Sequence, residues 1–192
     1  AGIPVVVVPD ARERFPEGDH FDDQDAQYAR LLSYVKRREM HPLRCLKQAW
    51  VLRKAKTVLE FGAGAAPYAH FIKTAWPVKQ DVVLADIPSL LRKYQVQRYR
   101  YSEYWCACRM SKEAFDYTYD AIVCTEVFEH LPDPLSVAKQ MTTAAPLICF
   151  DYVDDNSGER LDTLALFYRT GTVSGPDKRG LYVWRKYEEE KY

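Results

Sequence analysis

From Lys56 onward, short apolar runs alternate with longer segments whose apolar positions recur at helical spacing. The runs Thr57–Phe61, Asp81–Asp86, Tyr104–Cys108, Ala121–Cys124 and Leu147–Phe150 read as strands. Between them, Tyr68, Phe71 and Ile72 mark one face of a helix that can start at Pro67, and a basic helix runs from Pro88 to about Arg98. Asp133 and Pro134 form a helix start, a capping aspartate before a proline in the first turn, with Leu135, Ala138 and Met141 facing inward. Strands alternating with helices in this way predict a mostly parallel sheet covered on both faces. Two further runs, Leu164–Tyr168 and Leu181–Tyr187, flank a turn region rich in Gly, Ser, Pro and Asp and read as a closing pair of strands. Upstream, Gln24–Arg38 reads as a helix with Tyr28, Leu31, Leu32 and Val35 on one face. His41-Pro42 breaks it, and Leu43, Leu46 and Trp50 carry a second helix to the first strand. The run Ile3–Val8 is either a short strand or an arm laid on a neighbouring surface.

The chain of 192 residues is 47% hydrophobic and 14% aromatic, enough to bury a sizeable core and to exclude wholesale disorder. Lys plus Arg and Asp plus Glu number 27 each, so no long-range field draws the protein to nucleic acid or to a membrane. Cys45, Cys106, Cys108, Cys124 and Cys149 are odd in number, which reads as reduced thiols in a cytoplasmic protein rather than a disulfide framework. Cys106 and Cys108 are the one close pair, and no second Cys or His pair completes a zinc site, so no metal is expected there. The apolar start is too short and lacks the basic leader of a signal peptide, and no run has the length of a membrane span.

The most informative stretch is KTVLEFGAGAAPY, Lys56 to Tyr68. A strand ends at Glu60-Phe61, a Gly62-Ala63-Gly64 turn follows, and then a helix start, the unit by which α/β proteins bring backbone close to a ligand. The third glycine of a dinucleotide fingerprint is absent, Pro67 removes a helix N-terminal donor, and the nearest charge is Glu60. A pyrophosphate is poorly served here. A ligand with a cationic end and no phosphate is suited, and S-adenosylmethionine, with its ammonium and sulfonium, fits. Asp86 ends the second strand about 20 residues past the turn, where a carboxylate takes ribose hydroxyls. The strand ends would bring Glu60, Phe61, Gly62, Asp86, Ile87, Thr125, Glu126, Val127, Asp151 and Tyr152 to one rim.

The Glu60-to-Gly64 turn, Asp86, and YDAIVCTEVFEHLPDP from Tyr119 to Pro134 fall in an order that resembles the class I S-adenosylmethionine-dependent methyltransferases, over roughly residues 50 to 187. The resemblance implies a Rossmann-like three-layer sandwich: a mostly parallel seven-stranded sheet with an antiparallel C-terminal hairpin, helices on both faces, and an N-terminal helical extension. It divides the chain into an arm and helical lid over 1–55 and a cofactor-binding unit over 56–192. It implies a cofactor cradle of Glu60, Phe61, Gly62, Ala63, Gly64, Tyr68, Asp86, Ile87, Thr125, Glu126 and Val127. Methyl transfer is an in-line displacement in which the protein aligns the acceptor and removes its proton. His130, just past the fourth strand, is the candidate base; His41, Tyr68 and Tyr152 are further candidates for the acceptor pocket. Glu126, Glu129 and His130 would share one face if their turn were helical, a spacing that resembles the metal motif of small-RNA 2′-O-methyltransferases. Those enzymes add a downstream histidine that this chain lacks, and no metal is assigned. The expected acceptor is an oxygen or nitrogen of a small molecule or peptide. An RNA end, favoured by the basic N-terminal helices and opposed by the neutral charge, and a non-catalytic cofactor-binding scaffold are the alternatives.

Overall fold

The computed structural model describes residues 42–87, 95, 106–110, 113–151, 158–176 and 180–187, with 106–110 and 158–160 as backbone alone. The expected valine-rich arm, the 24–38 helix, His41, Tyr152 and, apart from Gln95, the 88–98 helix lie outside these residues. In chain order the elements are α1 (Pro42–Val51), β1 (Thr57–Phe61), α2 (Pro67–Ala75), β2 (Asp81–Asp86), β3 (Cys106–Met110) and β4 (Ala121–Cys124). A 3-10 turn (Phe128–His130), α3 (Pro134–Ala144), β5 (Leu147–Asp151), α4 (Gly158–Thr170), β6 (Gly171–Ser174) and β7 (Leu181–Lys186) follow.

The strands form one seven-stranded sheet in the order β3-β2-β1-β4-β5-β7-β6. The first five are parallel, and β7 runs antiparallel to both β5 and β6. The chain reverses its direction of travel across the sheet between β3 and β4, on either side of β1, which is where open α/β sheets hold ligands. Side chains of a strand alternate between faces, and β1 shows the consequence. Val58 joins a core formed with α1 and α2, through Leu52, Tyr68 and Ile72, whereas Leu59 and Phe61 join the core on the α3 and α4 side. There Phe150 stacks on Phe167 and Tyr182 with centroids 4.3 and 5.1 Å away. No helix among the described residues is long and apolar enough to cross a membrane.

Three expectations change. Leu164–Tyr168 is not a strand but part of α4. Thr163 and Phe167, one helical turn apart, are fully buried while Leu161 and Tyr168 face solvent, so the burial follows a helix period and not alternation. The hairpin strand is the shorter Gly171–Ser174. On α1 the apolar residues Leu43, Leu46 and Trp50 are exposed, and the helix instead buries Cys45, Gln48 and Ala49. Small Ala49 allows close approach, and the Trp50 ring is covered by the Arg53 guanidinium at 4.9 Å. The third strand is Cys106–Met110, set two residues later than expected by its pairing of Cys106 with Val82 and Met110 with Asp86.

Two polar ties hold α1 and β1 in place. The Tyr68 hydroxyl donates to Gln80 Oε1 at 2.7 Å, and Gln80 Nε2 donates to the carbonyls of Leu52 and Ala55 at 2.7 and 3.0 Å. The Asp120 carboxylate accepts from the N–H groups of Lys56 and Thr57, and the Thr57 bond is the main reason that its pKa lies below the usual value.

A Cβ added at Gly171 would overlap the Arg185 carbonyl and the Trp184 indole. Gly171→Ala should therefore lower stability by ~1–3 kcal/mol, read as a lower urea midpoint. An unchanged midpoint would mean that β6 does not lie against β7 in this register.

Candidate active site

At the carboxyl ends of β1 and β4, Glu60, Phe61, Gly62, Ala63, Gly64, Tyr68, Thr125 and Glu126 line a common cavity. Arg44, Cys45 and Gln48 of α1, with Ala65 and Pro67, complete its wall. Its volume is about 70 Å³, far below the roughly 300–1,000 Å³ of a site enclosing a whole drug-sized ligand. It takes one end of such a ligand.

Glu60 dominates the wall. It is only 4% exposed, and its two oxygens accept from the N–H groups of Tyr68 at 3.0 Å and Ala69 at 2.9 Å, in the first turn of α2. The residue before that helix, Ala66, has left-handed backbone (φ 55°) and no side-chain cap, so the strand carboxyl performs the cap's function. Burial pushes Glu60 up to about 8, against the pull of the two N–H bonds.

Four further N–H groups of the turn are satisfied internally. The N–H groups of Gly62 and Ala63 donate to Ala85 O, that of Gly64 to Asp86 Oδ2 at 2.7 Å, and that of Ala66 to Ala63 O. Pro67 has none. No array of free donors faces the cavity, so the turn is not a phosphate cradle. Gly62 (φ 65°) also packs so closely on Val127 that a Cβ would collide with it, whereas a Cβ at Gly64 (φ 53°) would meet only the Gly62 carbonyl oxygen, at an ordinary 3.9 Å.

Asp86, Ile87, Val127 and His130 are not among the lining residues. Asp86 holds the turn: Oδ2 accepts from Gly64 N and from Gln95 Nε2 at 3.0 Å, and Oδ1 from Ile87 N at 2.8 Å. Val127 lies in the core beneath Gly62. Of residues 125–130 after β4 only Phe128–His130 is helical, and His130 is exposed. Glu126 has left-handed backbone (φ 58°), so it shares no helical face with Glu129 and His130. Among the described residues no three His, Cys, Asp or Glu side chains gather as a metal site.

Sequence reasoning missed the contribution of α1. Arg44 Nη1 meets Glu126 Oε1 at 3.1 Å and Asp151 Oδ2 at 3.0 Å, while Glu126 N donates to Asp151 Oδ1 at 2.6 Å. This bridge pins α1 over the ends of β4 and β5. Burial raises Asp151 to about 6, opposed by the Glu126 N–H and Arg44. The basic run around Arg44 was visible, but eight cations share it and nothing in their spacing singles one out.

The fold and this rim define a doubly wound α/β protein with a cavity at the sheet's reversal point. A model of the methyltransferase domain family matches residues 28–181, and the chain belongs to that family. No curated protein matches the chain in sequence. Similar solved structures include the N-methyltransferase NodS from Bradyrhizobium japonicum, crystallised with S-adenosyl-L-homocysteine. It is 16% identical with a TM-score of 0.57 over 78% of this chain and 87% of that one. Magnesium protoporphyrin IX methyltransferase from Synechocystis, with bound SAM, is 12% identical with a TM-score of 0.58 over 85% and 90%. The methyltransferase domain of a bacterial Hen1 is 17% identical with a TM-score of 0.55 over 74% and 97%. At these identities the likeness is one of fold.

Glu60→Ala would leave two buried N–H groups unpaired and should cost ~2–4 kcal/mol of stability. The sign of the pH dependence follows from the raised carboxyls. Below the unfolded value of 4.5 both states hold the Glu60 proton; as pH rises toward about 8 only the native state keeps it, so stability falls. Asp151 acts with the same sign from 3.8 to about 6. Urea midpoints should be higher at pH 5.5 than at pH 9, and Glu60→Gln should flatten the upper part of that slope. A midpoint that rises with pH in this window would contradict the buried, desolvated Glu60.

Proposed function

We propose that this methyltransferase domain binds S-adenosylmethionine at the β1–β4 rim and transfers its methyl group to an oxygen or nitrogen of a small-molecule or peptide acceptor. The observation that carries the reading is the consumption of the helix N-terminal donors by Glu60, which leaves a carboxyl-walled hollow suited to a cation and not to phosphate. A Cβ at Gly64 would meet only the Gly62 carbonyl oxygen, at an ordinary 3.9 Å, so the turn leaves room for close approach. The likeness to solved methyltransferases crystallised with S-adenosylhomocysteine or SAM supports it.

When bound, the cofactor supplies an electrophilic methyl on sulfur. The chain's own residues do the rest. Glu60 and Glu126 set a negative potential for the ammonium and sulfonium, Gly62 and Gly64 allow close backbone approach, and Asp86 is the residue for the ribose hydroxyls. Phe61, Ala63, Tyr68, Ile87, Thr125 and Val127 shape or support the cradle. His130, exposed on the turn after β4, is assigned the acceptor's proton. The equal count of acidic and basic residues gives no support to an RNA acceptor.

A cation beside Glu60 favours its ionised form, so binding near pH 7 should release a proton and affinity should rise with pH toward about 8. Titration calorimetry with S-adenosylhomocysteine and S-adenosylmethionine in two buffers of different ionisation enthalpy reads the proton, with NAD as the control that should not bind. Binding of NAD in place of either ligand would overturn the cofactor assignment. His130→Ala should slow transfer about 10²-fold and leave cofactor affinity unchanged. Equal turnover would remove His130 from the mechanism.

A further inference from the structure

The two faces of α1 meet different surroundings. The inner face supplies Arg44, Cys45 and Gln48 to the cavity wall. The outer face carries Leu43, Leu46 and Trp50, which are 56%, 43% and 62% exposed. Their spacing of three and then four residues sets them in one stripe along the helix. Single exposed apolar residues are ordinary, whereas a contiguous stripe of three large ones marks a surface that something covers. The Arg53 guanidinium, 4.9 Å from the Trp50 ring, lies at one end of that stripe.

The sequence ahead of α1 contains a matching surface. Residues 24–38, which lie outside those described, read as a helix with Tyr28, Leu31, Leu32 and Val35 on one face, and only Glu39, Met40 and His41 separate them from Pro42. A connection this short makes consecutive helices antiparallel neighbours. Counted outward from it, Val35, Leu32 and Tyr28 are spaced by three and then four residues, in step with Leu43, Leu46 and Trp50. One step further the same series sets Asp25 against Arg53, a pair of opposite charges. We propose that residues 24–38 pack antiparallel on the outer face of α1, with Val35 on Leu43, Leu32 on Leu46 and Tyr28 on Trp50. The match to the methyltransferase domain family begins at residue 28 and runs through the connection, which puts this pairing inside the domain. The cavity wall is then two helices thick. From within, Arg44 ties α1 to Glu126 and Asp151; from outside, apolar burial holds it down. The pairing does not depend on which cofactor the cavity takes.

The test is a double-mutant cycle on the full chain, read as urea midpoints. Leu32→Ala and Leu46→Ala should each lower the midpoint by about 0.5 M. The double variant should lose clearly less than the two single losses together, because the second truncation removes a contact already gone. Leu161→Ala, at a residue 67% exposed on α4, should leave the midpoint unchanged and show no coupling to Leu32→Ala. Acrylamide quenching gives a second reading. The emission lost in Trp50→Phe should be that of a shielded tryptophan, and Leu32→Asp should make Trp50 accessible. Additive losses at Leu32 and Leu46, or a Trp50 quenched as freely as indole in water, would overturn the proposal. A coupling confined to concentrations at which sedimentation gives a dimer would also overturn it and assign the stripe to a second copy. Shielding of Trp50 only on adding vesicles of anionic phospholipid would overturn it in favour of a membrane surface.

Discussion

A carboxyl group buried at the end of a strand needs a reason to be there, and for Glu60 the reason is the helix that follows. Pro67 starts α2 with the correct φ but no N–H, and Ala66 brings the chain in through left-handed backbone without a capping side chain. The two donors this leaves, on Tyr68 and Ala69, point back at the strand, and Glu60 takes both. The exchange is mutual, since the helix N-terminus is also the most favourable place in the fold for a buried acidic group. It settles the sign of the site. A helix start that would otherwise attract an anion is neutralised from within, and what the cavity presents is a carboxyl.

The same economy extends outward from the turn. Asp86 fixes Gly64 from the neighbouring strand, Val127 fills the space under Gly62, and Arg44 joins α1 to the loop after β4 and to the end of β5. Each contact links elements far apart in sequence, and each ends on the rim where the sheet reverses its order. Gln80 completes the frame from beneath by satisfying the carbonyls that end α1. The helix before β1 is therefore one wall of the cavity, and its Arg44 is held there by the bridge to Glu126 and Asp151.

Much of this was legible because it depends on local rules. Thr57–Phe61, Asp81–Asp86 and Ala121–Cys124 are short apolar runs between turn signals, and all three are strands with the expected bounds. Asp133 caps α3 through Ser136 N at 2.9 Å, as its sequence suggested. What was not legible depends on partners. Leu164–Tyr168 has the composition of a strand, but Phe167 is drawn into the stack of Phe150, Tyr182 and Trp184 while Tyr168 is left outside, and only a helix allows that. Leu43, Leu46 and Trp50 look like the buried face of α1, yet the close approach to α2 is made through Ala49. Glu60 lines the cavity at the end of β1, where its position in the sequence puts it, but its bonds to Tyr68 and Ala69 need the fold to be seen. Arg44 stands in a visible basic run, but nothing there singles it out, because a salt bridge over 82 residues leaves no trace in spacing.

Asp86 supports the turn through bonds of unequal strength. Its Oδ2 carries two donors of different kinds, the Gly64 N–H at 2.7 Å and the Gln95 amide at 3.0 Å. The first is set by the backbone of the turn. The second belongs to a side chain that also donates to Gly64 O at 2.6 Å and keeps one buried oxygen unpaired. A hydroxyl reaching Asp86 would compete with the longer, side-chain bond and not with the one that holds the glycine turn. Gln95 Nε2 would keep its bond to Gly64 O at 2.6 Å, so the exchange would leave that amide hydrogen-bonded. The bond that holds the glycine turn is thus set by backbone geometry, as are both bonds of Glu60, whose two oxygens are committed to the N–H groups of Tyr68 and Ala69.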